Sequence, residues 1–322
     1  MRKHPKESTK KEELPYTNII PINNIQSFIV YVNSADYDIV HCSNEPDYLS
    51  NLLIFNTNKT VVHDTHDLMS LRADIDMNGV VLEYNANRFA DGNIYTTEEV
   101  KSIAIKKFGI EDKEILVLEN YIAQNLEPKK YLRKLSDIDK EIHCVYEGGI
   151  SDDPENHRYY EKIFLNIAKE KIHIHFFAMG NNIEYYKKIE ALSDYIHYEG
   201  CFGIDELMVN LTQYDIGLVQ LNITSRISKF LQSASPNKMY EYLSAGLPIA
   251  VCNIQNLKKF VNKYNIGKEL VFGSDIKKQL EDIKNIKIEK EFLKKNKLTM
   301  DSQADNIIKF YEKVMRKQSN YE

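Results

Sequence analysis

The 322-residue sequence contains no apolar run long enough to span a bilayer, and its opening, Met-Arg-Lys-His-Pro-Lys-Glu-Ser-Thr-Lys-Lys, has no hydrophobic stretch behind it. Those absences argue against a membrane span and against a secretion signal in this stretch. A basic excess is missing too: 42 Lys and Arg face 47 Asp and Glu, a net charge of −5, which speaks against a nucleic-acid partner. The four cysteines, Cys42, Cys144, Cys201 and Cys252, stand singly beside apolar runs without a CxxC pair. Neither a thiolate metal site nor a disulfide framework is implied, and the expected setting is a reducing one, the cytoplasm. No period of solenoid length recurs. What the chain does have is 43% hydrophobic residues, enough at this length for two cores.

The densest arrangement of meaningful residues is Ser235-Pro-Asn-Lys-Met-Tyr-Glu-Tyr-Leu-Ser-Ala-Gly-Leu-Pro-Ile-Ala-Val-Cys252. Ser235 is a helix-capping type, Pro236 suits a first turn, and Gly246 before Pro248 suits a left-handed stop, which together predict a helix of about three turns. Met239, Tyr242 and Leu243 fall on one buried face, leaving Lys238 and Glu241 on the other. A helix start with a lysine beside it favours phosphate or diphosphate, and a carboxylate one turn on can accept from vicinal hydroxyls. Apolar runs at Tyr214–Val219 and Leu247–Cys252 flank this helix as parallel strands, and such sheets bind ligands at their carboxyl ends. An ordinary surface helix with a salt pair explains Lys238 and Glu241 alone but not the whole string.

Pro236-Asn237-Lys238-x-x-Glu241-Tyr-Leu-x-x-Gly246-x-Pro248 resembles the donor-binding signature of GT-B glycosyltransferases, most closely the family-4 type. The resemblance implies an α/β fold of two Rossmann-like parallel-sheet domains facing a cleft. It also implies that Glu241 binds the donor ribose, that Lys238 approaches the diphosphate, and that Asn237 belongs to the donor site. The family commonly carries a second glutamate eight residues upstream, where this chain has Ser233. Family members also begin with a further strand and glycine-rich loop that residues 1–26 do not show, so the first domain is read as truncated.

In chain order, residues 1–26 are expected to be a disordered tail. Ser27–Val32 reads as a strand, or equally as a buried helix segment. Asp38–Cys42, Thr60–His63 and Glu114–Leu118 read as strands, while Tyr48–Phe55, Met77–Phe89 and Glu98–Phe108 read as helices. Residues 27–135 form the first, acceptor-side domain, with a linker between Gln124 and Asp139. Residues 136–300 form the nucleotide-sugar domain, and 301–322 a helix that, by the resemblance, crosses back to the first.

Val62-His63-Asp64-Thr65-His66-Asp67 clusters polar groups at a strand end. In an extended strand His63 and His66 point to opposite faces, which disfavours a shared metal. His66 matches the histidine that family members place near the transferred sugar, while His63 and Asp64 suit structural roles. Asn120 matches a family asparagine position and suits a turn cap equally well. Gly148-Gly149 permit close backbone approach, Arg158 is the nearest basic residue for a diphosphate, and Glu199-Gly200 suits seating of the base. His41, Asn44 and Glu45 fit the acceptor side.

These residues point to a transferase moving a sugar from a UDP- or GDP-linked donor to a saccharide, lipid-linked or peptide acceptor in cell-surface glycan or glycoconjugate synthesis. By the resemblance it retains anomeric configuration; no metal or other cofactor is required. A non-catalytic nucleotide-sugar-binding partner subunit and a sugar-nucleotide epimerase of the same fold stay open, as does peripheral contact with the inner membrane face or a partner protein.

Overall fold

Helix ends written into the sequence set many of the boundaries. In the computed structural model of the chain, Thr97 caps the helix Glu98–Phe108 by accepting from the Val100 N–H at 3.0 Å. Glu98 and Glu99 lie in its first turn, Lys106 and Lys107 in its last, and Gly109 closes it at φ +62°, so each charge sits where the helix dipole favours it. The structure describes residues 18–43, 46–71, 75–180, 182–225, 228–232 and 234–318. Most of the expected tail, together with Asn44, Glu45 and Ser233, lies outside them.

The chain divides into two units, Met1–Glu119 with Ala304–Glu322, and Asn120–Gln303. The first runs α1 (Ile25–Ser34), β1 (Ile39–Ser43), α2 (Tyr48–Asn56), β2 (Thr60–Thr65), α3 (Met77–Phe89), β3 (Gly92–Tyr95), α4 (Glu98–Phe108) and β4 (Glu114–Val117). Its four strands pair in parallel in sequential order. Neighbouring strand residues serve opposite layers. Val61 packs with Leu53 of α2 and Val32 of α1, whereas Val62 and Ile94 meet Phe310 and Val314 of the terminal helix Ala304–Gln318.

Of the two readings of Ser27–Val32, the structure takes the helix. Asn24 caps α1 by accepting from the Ser27 N–H at 2.8 Å. Only one side of the apolar run is covered: Phe28, Tyr31 and Val32 pack against the core, while Val30 is 61% exposed. That is helical spacing, not the alternation of a strand.

The second unit runs α5 (Ser136–Asp139), β5 (His143–Gly148), α6 (Glu161–Ala168), β6 (His173–Ala178), α7 (Ile183–Glu190), β7 (Ile196–Gly200), α8 (Ile204–Leu211) and β8 (Ile216–Val219). It continues through α9 (Ser228–Leu231), α10 (Lys238–Ser244), β9 (Ile249–Val251), α11 (Gln255–Tyr264), β10 (Gly267–Glu269), α12 (Ile276–Lys284) and α13 (Phe292–Lys295). All six strands are parallel, in the order β10-β9-β8-β5-β6-β7. The chain therefore travels outward from β5 to β7 and returns to the other side of β5 as β8. This reversal is a topological switch point, where helices leave the sheet in opposite directions and a crevice opens at the carboxyl ends. One face packs Val145, Phe177 and Val219 against Met239 and Leu243 of α10, the other packs Tyr146 and Phe176 against Phe164 of α6.

The stretch 124–139, read above as a linker, is held within this second unit. Ile122 bridges Thr299, and the Leu135 N–H donates to the Gln213 carbonyl at 2.9 Å. Among the described residues, no helix is long and apolar enough to cross a membrane.

Candidate functional site

The switch point lies between Gly148, the last residue of β5, and the 220–237 segment that leads from β8 to α10. Lys238 opens α10, and its ammonium stands 4.0 Å from the centroid of the Tyr146 ring, a favourable cation–π placement. A Cβ on Gly148 would come within 3.0 Å of Lys238 Nζ, and the residue sits at φ +130°. Only glycine takes that conformation without strain and leaves the ammonium its space. Arg158 comes from the turn before α6, close enough that a Cβ on Gly149 would lie 2.9 Å from its Nη1. Two cations thus border a glycine pair whose backbone a ligand can approach. Tyr146 Oη steadies the turn by donating to the Gly149 carbonyl at 2.8 Å.

Around Lys238 the structure corrects the expected helix. α10 has seven residues rather than three turns, and its cap, Asn237, makes no side-chain capping bond. The cap position falls to Asn237, two residues after Ser235, and the Ser235 carbonyl accepts from Asn120 Nδ2 at 2.9 Å. Asn120 therefore anchors the segment that delivers Lys238. Met239, Tyr242 and Leu243 are buried, as their spacing requires, and Gly246 ends the turn at φ +78°. The Tyr242 ring lies so close over Gly217 of β8 that any side chain there would overlap it. From that seat its hydroxyl accepts the Glu147 N–H at 2.9 Å.

Glu241 does not ion-pair with Lys238 among the described residues. Burial first, then the charge and hydrogen bond of neighbouring Glu147, push the Glu241 carboxyl up to about 9, with the Lys238 ammonium opposing. Glu147 Oε1 is buried and makes no hydrogen bond within the protein. Two carboxyl groups side by side cannot both ionise cheaply, so the raised Glu241 keeps its proton in this burial. Sequence reading passed over Glu147. Its place, immediately before the glycine pair at the carboxyl end of the first strand of the unit, was the available signal. Gly200 ends β7 at φ +91°, two strands away from β5, and the adjacent Glu199 Oε1 lies 2.8 Å from His175 Nδ1.

The first unit gathers a separate group. Asp64, near the end of β2, has Oδ2 3.1 Å from His41 Nε2 and 3.8 Å from His66 Nε2. His41 Nδ1 is 2.6 Å from Tyr311 Oη on the terminal helix. Burial alone would raise the Asp64 carboxyl, but the hydrogen bond with His41 and the nearby His66 outweigh it and hold it at about 2. His66 remains 38% exposed while accepting at its carbonyl from Thr96 Oγ1 at 2.9 Å. His63 faces the other way, buried, with Nδ1 2.8 Å from Ser50 Oγ, and burial lowers it to about 4. The pairing of Asp64 with His41 and Tyr311, which lie far from it in the chain, had no local pattern to announce it.

Residues 157–306 match the family model described as Glucosyltransferase 3-like, C-terminal domain. Solved structures of similar fold include AviGT4, a glycosyltransferase involved in avilamycin A biosynthesis, at 12% identity and a TM-score of 0.61 over 93% of this chain and 80% of that one. Alr3699/HepE from Anabaena, in complex with UDP-glucose, is 14% identical at a TM-score of 0.60, over 92% and 82% of the two chains. A chain of the GtfA/B complex is 14% identical at a TM-score of 0.58, over 91% of this chain and 60% of that one. No curated protein sequence matches significantly. The chain therefore shares the GT-B fold of these structures, and its residues 157–306 are similar to the glucosyltransferase 3-like C-terminal domain.

Proposed function

We propose that the protein transfers a sugar from a UDP-linked donor to an acceptor hydroxyl, retaining anomeric configuration, in the synthesis of cell-surface glycans or glycoconjugates. The observation that carries this reading is the convergence of Lys238, Arg158 and the Gly148-Gly149 turn at the switch point of the second unit. A diphosphate leaving group develops negative charge on its oxygens as the glycosidic bond breaks, and two cations beside a glycine turn stabilise that charge more as it grows. Glu241 and the orphaned Glu147 oxygen receive the ribose hydroxyls, and Asn237 and Asn120 hold Lys238 in place. Gly200 borders the base. The likeness to a protein solved with UDP-glucose favours UDP over GDP. On this reading the second unit is the nucleotide-sugar domain and the first the acceptor-side domain, with His66 its catalytic histidine and His41 oriented through Asp64. A saccharide, lipid-linked or peptide acceptor fits this chemistry.

Calorimetry with UDP tests the donor site. Lys238→Ala and Glu241→Ala should each weaken binding by about 1 to 3 kcal/mol, through a lost charged hydrogen bond at Lys238 and a buried ligand hydroxyl left unpaired at Glu241. Unchanged affinity in both folded variants would remove the switch point from nucleotide binding. The likeness to a chain of the GtfA/B complex favours one second reading, a partner subunit that binds the nucleotide sugar without catalysis. Release of UDP from UDP-glucose only when acceptor is present would decide for the transferase.

A further inference from the structure

At the opposite, amino-terminal edge of the six-stranded sheet, four histidines crowd one face. The parallel register sets His143 of β5 beside His173 of β6, and His175 beside His197 of β7. The His143 and His173 rings stack with centroids 4.5 Å apart and planes 4° from parallel. Each turns Nε2 toward a carboxylate of the segment entering β5: His143 lies 2.9 Å from Asp139 Oδ2, and His173 lies 2.5 Å from Glu141 Oε2. One ligand atom from each of Asp139, His143 and His173 falls within 4.8 Å of the other two.

The far ring nitrogens are already committed. His143 Nδ1 is 2.9 Å from His175 Nε2, and His175 Nδ1 is 2.8 Å from Glu199 Oε1. His173 Nδ1 is 2.8 Å from His197 Nε2. The chain Asp139, His143, His175, Glu199 thus has three close contacts, and two neutral imidazoles supply only two protons. A carboxylate accepts at each end. If Glu199 takes the His175 proton and His175 takes that of His143, then His143 Nε2 faces Asp139 with lone pair against lone pair. A cation between them removes the conflict. The arrangement of an imidazole ligand whose other N–H runs through a second group to a carboxylate is also how metal-bound histidines are oriented.

We propose that Asp139, His143 and His173, with Glu141 in reach as a fourth ligand, hold a divalent first-row transition metal of the zinc class. Two imidazoles with carboxylates select such ions over magnesium or calcium. Tetrahedral zinc wants ligand atoms about 3.3 Å apart, given bonds of about 2.0 Å. Asp139 and Glu141, whose side chains are 41% and 44% exposed, already face the two imidazoles, and Asp139 is steadied there because its Oδ1 accepts from the Glu141 N–H at 2.9 Å. The ion clips α5 and the entry to β5 onto β6, at the edge of the sheet away from the switch-point crevice.

Full-length protein, dialysed against chelator, is titrated with Co²⁺ under visible absorption and with Zn²⁺ by calorimetry and thermal melting. The proposal expects one equivalent of Co²⁺ with tetrahedral bands, displacement by Zn²⁺, and a melting temperature that rises with Zn²⁺. His173→Gln should abolish the bands. Because a buried histidine variant can fail to fold, the half-exposed Asp139→Asn is the companion variant and should lower Co²⁺ affinity at least about tenfold. Absence of stoichiometric uptake overturns the proposal, as does uptake unchanged in both variants. A melt that ignores Zn²⁺ but rises as pH falls also overturns it, since the missing cation is then a proton on His143.

Discussion

Glu241 keeps a proton that an exposed carboxyl would lose. The unfolded carboxyl titrates from a value of 4.5, whereas burial and Glu147 hold the folded one up at about 9. Between those values Glu241 binds one more proton in the native state than in the unfolded chain, so it makes stability fall as pH rises through that window. The carboxamide of Glu241→Gln does not titrate. Wild type should therefore lose stability relative to Glu241→Gln on going from about pH 5 to about pH 8, as denaturant melts at the two pH values will measure. A constant difference between the two proteins would mean that Glu241 is ionised in the fold. His66 invites a different measurement, because its proposed duty is to the transferred sugar and not to the nucleotide held by the second unit. His66→Ala should leave UDP affinity unchanged and lower turnover by about a hundredfold, the scale of one positioned polar group. Full turnover in that variant places the chemistry elsewhere. His66 and Glu241 were legible because each ends or follows a run of recognisable pattern. Glu147 was not, nor was the contact of Asp64 with His41, since both depend on partners distant in sequence.

Among the elements, α10 and β8 act as one piece. Gly217 leaves β8 bare where the Tyr242 ring lies on it, and Tyr242 Oη in turn receives the Glu147 N–H. A methyl group at that position must displace a ring in a close-packed layer, so Gly217→Ala should cost about 1 to 3 kcal/mol of stability in chemical denaturation. Tyr242→Phe should cost about 1 kcal/mol by orphaning the same N–H. A neutral Gly217→Ala would mean that α10 is free to slide. Helices with strong local punctuation, such as α3 and α4, start and stop where their sequence says. α10 starts two residues later than its punctuation implies, at Lys238 after Asn237, and the Ser235 carbonyl ahead of it is held by Asn120. α1 was open between strand and helix because an apolar run of that length satisfies both periods.

For the whole molecule, the proposal leaves charge neutralisation of the diphosphate to Lys238 and Arg158. Adding Mg²⁺ or Mn²⁺ should then leave kcat unchanged in a transfer assay; a strict requirement for either ion would show that these two cations are insufficient.

By itself the sequence determined the alternation of short apolar strands with capped helices, hence two parallel α/β layers, and singled out the string from Pro236 to Pro248. These are local properties, set by side-chain period, capping oxygens and glycine conformation over a few residues. The tertiary structure alone decided that β8 returns beside β5, and with it that Lys238 stands over Tyr146, that Glu147 meets Glu241, and that Asn120 holds Ser235. Strand order depends on which apolar faces cover one another across the whole unit, and strands of three to six residues carry too little pattern to name their neighbours.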